Sequence, residues 1–118
     1  MEPYRHETMM MADYDIVSDI IDTMFEINGE MESADTYIGE AMRLKSTSPE
    51  SAASKVTMSA DELKHGENLA LTVNKMMDKL KTENNPCYAV LAMVWYKMND
   101  EQLRWAAKIK MKHERYKK

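Results

Sequence analysis

Ser46-Thr47-Ser48-Pro49-Glu50 is the stretch that decides how this chain folds, because helical patterning runs up to it from both sides. Ser48 suits a helix N-cap, where a side-chain oxygen accepts a bond from an orphan backbone N–H. Pro49 suits the first helical position, where a missing N–H costs nothing. Ser51 stands three residues after Ser48 and does not complete a capping box. One helix ends before this run and another starts within it, so the chain doubles back as an antiparallel helical hairpin.

Upstream, from about Thr8 to Lys45, apolar residues recur at spacings of three and four. Ile16, Ile20, Thr23, Ile27, Glu30, Ala34, Tyr37, Ala41 and Leu44 form one stripe. Val17, Ile21, Met24, Met31, Ile38 and Met42 widen it. Asn28-Gly29 interrupts the segment, and Gly within a helix costs ~1 kcal/mol relative to Ala. The stripe stays in phase across it, which predicts one long helix. Residues 1–7 are expected to be a frayed arm.

Downstream, a second helix is expected over about 49–83. It carries the stripes Leu63, Gly66, Ala70, Val73, Met77, Leu80 and Met58, Glu62, His65, Leu69, Thr72, Met76. Asn84-Asn85-Pro86 is the next break, with Asn85 as cap and Pro86 at the first helical position. The third helix, about 86–116, is apolar nearly all round from Tyr88 to Tyr96. Asn99-Asp100-Glu101-Gln102 has the look of a capping box, which predicts a stop and restart there. The result is a single all-α domain: a long antiparallel hairpin plus a C-terminal helix.

Composition fits. The chain has 118 residues, enough for one modest core, and only three Gly and three Pro, too few for a β fold rich in tight turns. Its 13 Met are helix formers that fill irregular core gaps. The longest apolar run, Cys87–Tyr96, is far short of the ~20 residues that span a bilayer. The N-terminal run Met1-Glu2-Pro3-Tyr4-Arg5-His6 lacks the pattern of a signal peptide. The single Cys87 has no partner for an intrachain disulfide and reads as a small core residue. A cytoplasmic protein with no membrane contact is expected.

Three ionisable residues occupy apolar stripes. Glu30 stands between Ile27 and Ala34, and Glu62 and His65 stand between Met58 and Leu69. An unpaired carboxylate at such a place is costly to bury. Glu62 and His65, three apart on a helix, point the same way. At a rise of ~1.5 Å per residue, Glu30 and the Glu62/His65 pair lie roughly 20–24 Å from the same turn. In an antiparallel hairpin they meet at one level. Carboxylate oxygens and an imidazole together suit iron, manganese or zinc. Di-iron bundles take a Glu from each of two helices and a Glu-x-x-His from each of the other two. This chain has one of each, so a complete dinuclear site calls for a second copy related by two-fold symmetry. A non-catalytic reading stands beside it: a helical interaction or scaffold protein in which Glu62 and His65 are a structural polar pair.

A Glu, a Tyr seven residues on, and then Asp61-Glu62-Leu63-Lys64-His65 on the next helix resemble the ferritin-like superfamily. With one Glu and one Glu-x-x-His, the chain is most similar to the encapsulated ferritins over about residues 27–70. The resemblance implies that two short protomers complete a four-helix bundle and share a di-iron ferroxidase site that oxidises Fe(II) with O2 or peroxide. It implies Glu30, Glu62 and His65 as ligands and Tyr37 as a nearby phenol of the active centre, with Glu32 as an iron-entrance or secondary site. It also implies a protein shell as partner, although Lys110–Lys118 holds no apolar shell-targeting peptide. Glu40 and Glu67, like Glu32, stay open as further ligands.

Charge is uneven. Residues 1–50 carry twelve acids and three bases, and residues 97–118 carry eight bases and three acids, within a net charge of −4. Such asymmetry guides association or draws cations to an acidic surface. Arg104, Trp105, Lys108, Lys110, Lys112, Arg115 and Tyr116 mix bases with aromatics. With an acidic total and no binding motif, they are expected to form a solvated helix end rather than a nucleic-acid surface. His6 and His113 are expected at the solvated surface. Trp95 and Tyr96 are expected as core or interface anchors.

Overall fold

The computed structural model describes residues 2–118, with side chains from Asp15 onward. It consists of three helices, α1 (Glu2–Leu44), α2 (Pro49–Thr82) and α3 (Tyr88–Lys117), with no strand among the described residues. The molecule measures 70 × 21 × 15 Å. A helix of α1's 43 residues is about 65 Å long at the standard rise, so α1 sets that length.

The buried residues of α1 are Ile20, Met24, Ile27, Met31, Ala34, Ile38 and Ala41. They alternate steps of four and three and lie between the two expected stripes. On α2 the buried or half-buried series Ala52, Val56, Ser59, Leu63, Gly66, Ala70, Val73, Met77, Leu80 keeps the same alternation. This alternation is the heptad pattern of a coiled-coil seam. Each fully buried Ile, Leu or Met on it contributes ~1.5–3 kcal/mol of transfer free energy. The small members Ala34, Ala41, Ala52, Ser59 and Gly66 let the two backbones approach closely.

The hairpin turn forms as expected, with Ser48 at the N-cap and Pro49 opening α2. The Ser48 hydroxyl makes no cap bond; its backbone carbonyl accepts from Ala52 N–H at 2.9 Å. α1 runs unbroken through Gly29, in line with the in-phase stripe.

Several boundaries differ from the sequence expectation. α1 begins at Glu2, so residues 2–7 of the segment expected as a frayed arm are helical. α3 begins at Tyr88 with Cys87 as its N-cap, not at Pro86. Asn85 Oδ1 accepts from Cys87 N–H at 2.8 Å and Asn84 takes a left-handed φ of 55°, so two more residues are spent turning the chain. α3 does not stop at Asn99–Gln102. Gln102 is buried, and its side-chain amide donates to Met24 O at 3.2 Å and Asn28 Oδ1 at 2.9 Å on α1. These bonds tie the polar run to the core as helix.

α3 lies along one side of the hairpin. Asn28 and Asp35 of α1 and Ser59, Glu67 and Asn74 of α2 meet it. Trp95 Nε1–H donates to Asn74 Oδ1 at 2.8 Å and Trp105 Nε1–H to Asp35 Oδ2 at 3.0 Å. Lys112 pairs with Asp35, and Lys110 with Glu67 at 2.9 Å. Two bases of the C-terminal stretch, Lys110 and Lys112, are thus engaged by hairpin acids, while Arg104 and Lys117 pair with Asp100 and Glu114 within α3. Trp95 is a core residue at 3% exposure, whereas its neighbour Tyr96 is 70% exposed. His113, expected at the solvated surface, is half-buried with Nε2 2.9 Å from Ser59 Oγ. His6 lies outside the side chains described.

Candidate metal centre

Glu30, Glu62 and His65 each stand one residue before a seam position, namely Met31, Leu63 and Gly66. Of the residues that meet α3, Asn28, Asp35, Glu67 and Asn74 each stand one residue after a seam position, and Ser59 stands on the seam itself. In an antiparallel pair, residues before the seam on both helices share one edge and those after it share the other. The three candidate ligands therefore line the edge that α3 leaves uncovered.

One potential ligand atom from each of the three lies within 4.8 Å of the other two. Among the described residues this is the one group of three or more His, Cys, Asp or Glu so arranged. His65 Nδ1 is 3.3 Å from Glu30 Oε1. The Glu30 side chain is only 18% exposed, while the His65 ring is 54% exposed, so the group opens to solvent on the imidazole side. Glu30 Oε2 is buried without a hydrogen-bond partner. A buried carboxylate oxygen left unpaired is costly, and a cation satisfies it.

The residues fit a divalent metal. Two hard oxygen donors and one imidazole suit iron, manganese and zinc. Donors that share one ion at bonds of about 2.1 Å stand no more than about 4.2 Å apart, so small side-chain rotations close the group on a cation. Three donors leave coordination positions open.

The other residues singled out in the sequence do not join this group. Tyr37 lies on the same edge about 10 Å along α1 at the standard rise, with Lys55 Nζ 5.2 Å from its ring centroid. Glu40 pairs with Lys55 at 3.1 Å, and Glu67 pairs with Lys110 on the α3 side. Glu32 is exposed.

No family model, curated protein or solved structure matches the chain.

Two features beside the site were not singled out from the sequence. Ser59 is fully buried and donates its hydroxyl to Ala34 O at 2.6 Å. That leaves its lone pairs to His113, so Nε2 carries the proton and donates to Ser59. Their heptad positions were the available signal, since a polar residue on a seam needs a partner. The other is Gly66, whose missing Cβ leaves space that the Met31 terminal methyl fills.

Proposed function

We propose that this chain is a ferritin-like metal-binding protein in which two protomers complete a four-helix bundle and oxidise Fe(II) at a shared di-iron site. The observation that carries the proposal is the Glu30–Glu62–His65 group, closed to within 4.8 Å and holding a buried, unpartnered carboxylate oxygen. Its place on the uncovered edge of the hairpin supports a shared site, because a second copy on that edge would add its own Glu30, Glu62 and His65. Met58 and Leu69 flank the ligands there and would gain burial from such pairing. The lone Cys87 thiol supports a cytoplasmic setting. None of the described helices is long and apolar enough to cross a membrane.

Iron is the substrate in this proposal, giving up electrons to O2 or peroxide; manganese and zinc suit the same donors. The chain's own residues do the rest. Glu30 and Glu62 would supply negative charge that offsets the cations, with the unpartnered Glu30 Oε2 as a further oxygen donor. His65 would complete the set from the solvent side through a ring nitrogen. The phenol of Tyr37 lies two turns away as a candidate electron donor.

An anaerobic Fe(II) titration with light scattering on the same sample tests this. The expected result is saturation near about one iron per chain in a dimer or a multiple of it, followed by an absorbing ferric species on exposure to air. The Glu30–His65 contact of 3.3 Å favours a second reading, a non-catalytic helical interaction protein in which these residues are a structural polar pair. Stability unchanged by chelator and by Glu62→Gln, without saturable binding, would select it.

A further inference from the structure

Gly66 stands next to His65 and one turn after Glu62, on the α2 face that meets α1 at Glu30 and Met31. A Cβ built on Gly66 would overlap the Met31 terminal methyl and stand 3.4 Å from Glu30 Cβ. Neither Gly29 nor Gly39 has any such neighbour within 4 Å. Gly66 is buried, and Met31 is 2% exposed. The methyl therefore fills a notch that only the absence of a side chain provides, at the level of the candidate ligands. Gly inside a helix is otherwise unfavourable, so the notch comes at a local cost to α2.

We propose that Gly66 is a positioning residue for the metal site, and that the notch it leaves lets α1 and α2 come close enough for Glu30 to share an ion with Glu62 and His65. This rests on the metal-site reading above. With its donors spread over up to 4.8 Å, the group already needs small side-chain rotations to reach the about 4.2 Å that one ion spans, and a wider helix separation puts that closure out of reach. A methyl at Gly66 requires the flexible end of Met31 to turn aside within a core site where Met31 is 2% exposed, or the two helices to part. Both moves act on Glu30, the residue adjacent to Met31. Leu has nearly the volume of Met but ends one atom shorter, so Met31→Leu withdraws the atom that a Cβ would meet.

The test is anaerobic Co(II) titration of the unchanged protein, Gly66→Ala, Met31→Leu and the double variant Gly66→Ala/Met31→Leu, with helical content measured by circular dichroism. Gly66→Ala is expected to bind about 10–100-fold more weakly at unchanged helicity, the loss typical of groups that orient ligands. Met31→Leu alone is expected to bind as the unchanged protein does. The double variant is expected to recover most of the affinity and the ligand-field spectrum, which loss of packing alone would not produce. Equal affinity in Gly66→Ala and the unchanged protein overturns the positioning role and leaves the site standing. No saturable binding by the unchanged protein overturns both. If Gly66→Ala loses helicity, the double variant decides: recovered helicity with recovered affinity supports the role, and recovered helicity with weak binding overturns it.

Discussion

Glu30 holds one carboxylate oxygen beside His65 and buries the other without a partner. In the metal-free protein that arrangement costs stability, as functional sites often do. Glu30→Met is therefore expected to raise the metal-free unfolding free energy by about 1–2 kcal/mol while removing metal binding. Chemical denaturation and Co(II) titration of one preparation check both halves, and lower stability in the variant would contradict the cost assigned to this carboxylate. Glu62→Ala is expected to lose metal binding with helical content largely intact, and stoichiometric binding in that variant would remove Glu62 from the site. His113 gives a pH dependence. Burial, with Lys117 adding to it, holds its pKa below the ordinary 6.5. The unfolded chain takes up this proton more readily, so the contribution to stability is full above about pH 6.5 and is lost as pH falls through the folded value. Denaturation between about pH 5 and 8 should show that slope, and His113→Gln should flatten it.

At the scale of elements, part-buried polar contacts join apolar ones in holding α3 to the hairpin. Ser59 is central, because it bonds α1 through Ala34 O and α3 through His113. Ser59→Ala leaves Ala34 O and the His113 nitrogen without that partner and is expected to cost about 1–3 kcal/mol. Hydrogen exchange should locate the loss in the C-terminal turns of α3, and uniform loosening of all three helices would count against this local role. Asp35 acts in the same interface further along α1. Burial raises its pKa, but hydrogen bonds from Lys112 and Trp105 outweigh that and leave it below the ordinary 3.8. Its contribution is present above that pH and is lost as pH falls through the folded value. Acid should thus weaken α3 docking first at His113 and then at Asp35.

At the scale of the whole molecule, the hairpin has two edges and α3 covers one. The uncovered edge carries the candidate ligands, with Met58 at 38% exposure beside them. Met58→Glu on that edge is expected to disrupt the proposed pair and give a 13.7 kDa monomer without loss of helicity. Met93→Glu on α3, where the side chain is already 74% exposed, is expected to leave pairing unchanged. Sedimentation of both variants separates the edges, and a monomer from Met93→Glu alone would move the interface to α3.

The hairpin, the unbroken first helix and the shared level of Glu30, Glu62 and His65 were legible in the sequence, because helical periodicity, a Ser-Pro helix start and the rise per residue are local quantities. Those same quantities misplaced the start of α3 and suggested a break at Asn99–Gln102. Local capping preference favours a break there, but Gln102 reaches α1 across 74 to 78 residues of chain, and a bond of that range has no local signature. His113 was misjudged for the same reason, since its polar neighbours say nothing of Ser59 on another helix. Tertiary structure also decided which edge of the seam α3 takes. That choice depends on how acids and amides of α1 and α2 pair with α3, and it is what leaves the edge that carries Glu30, Glu62 and His65 uncovered.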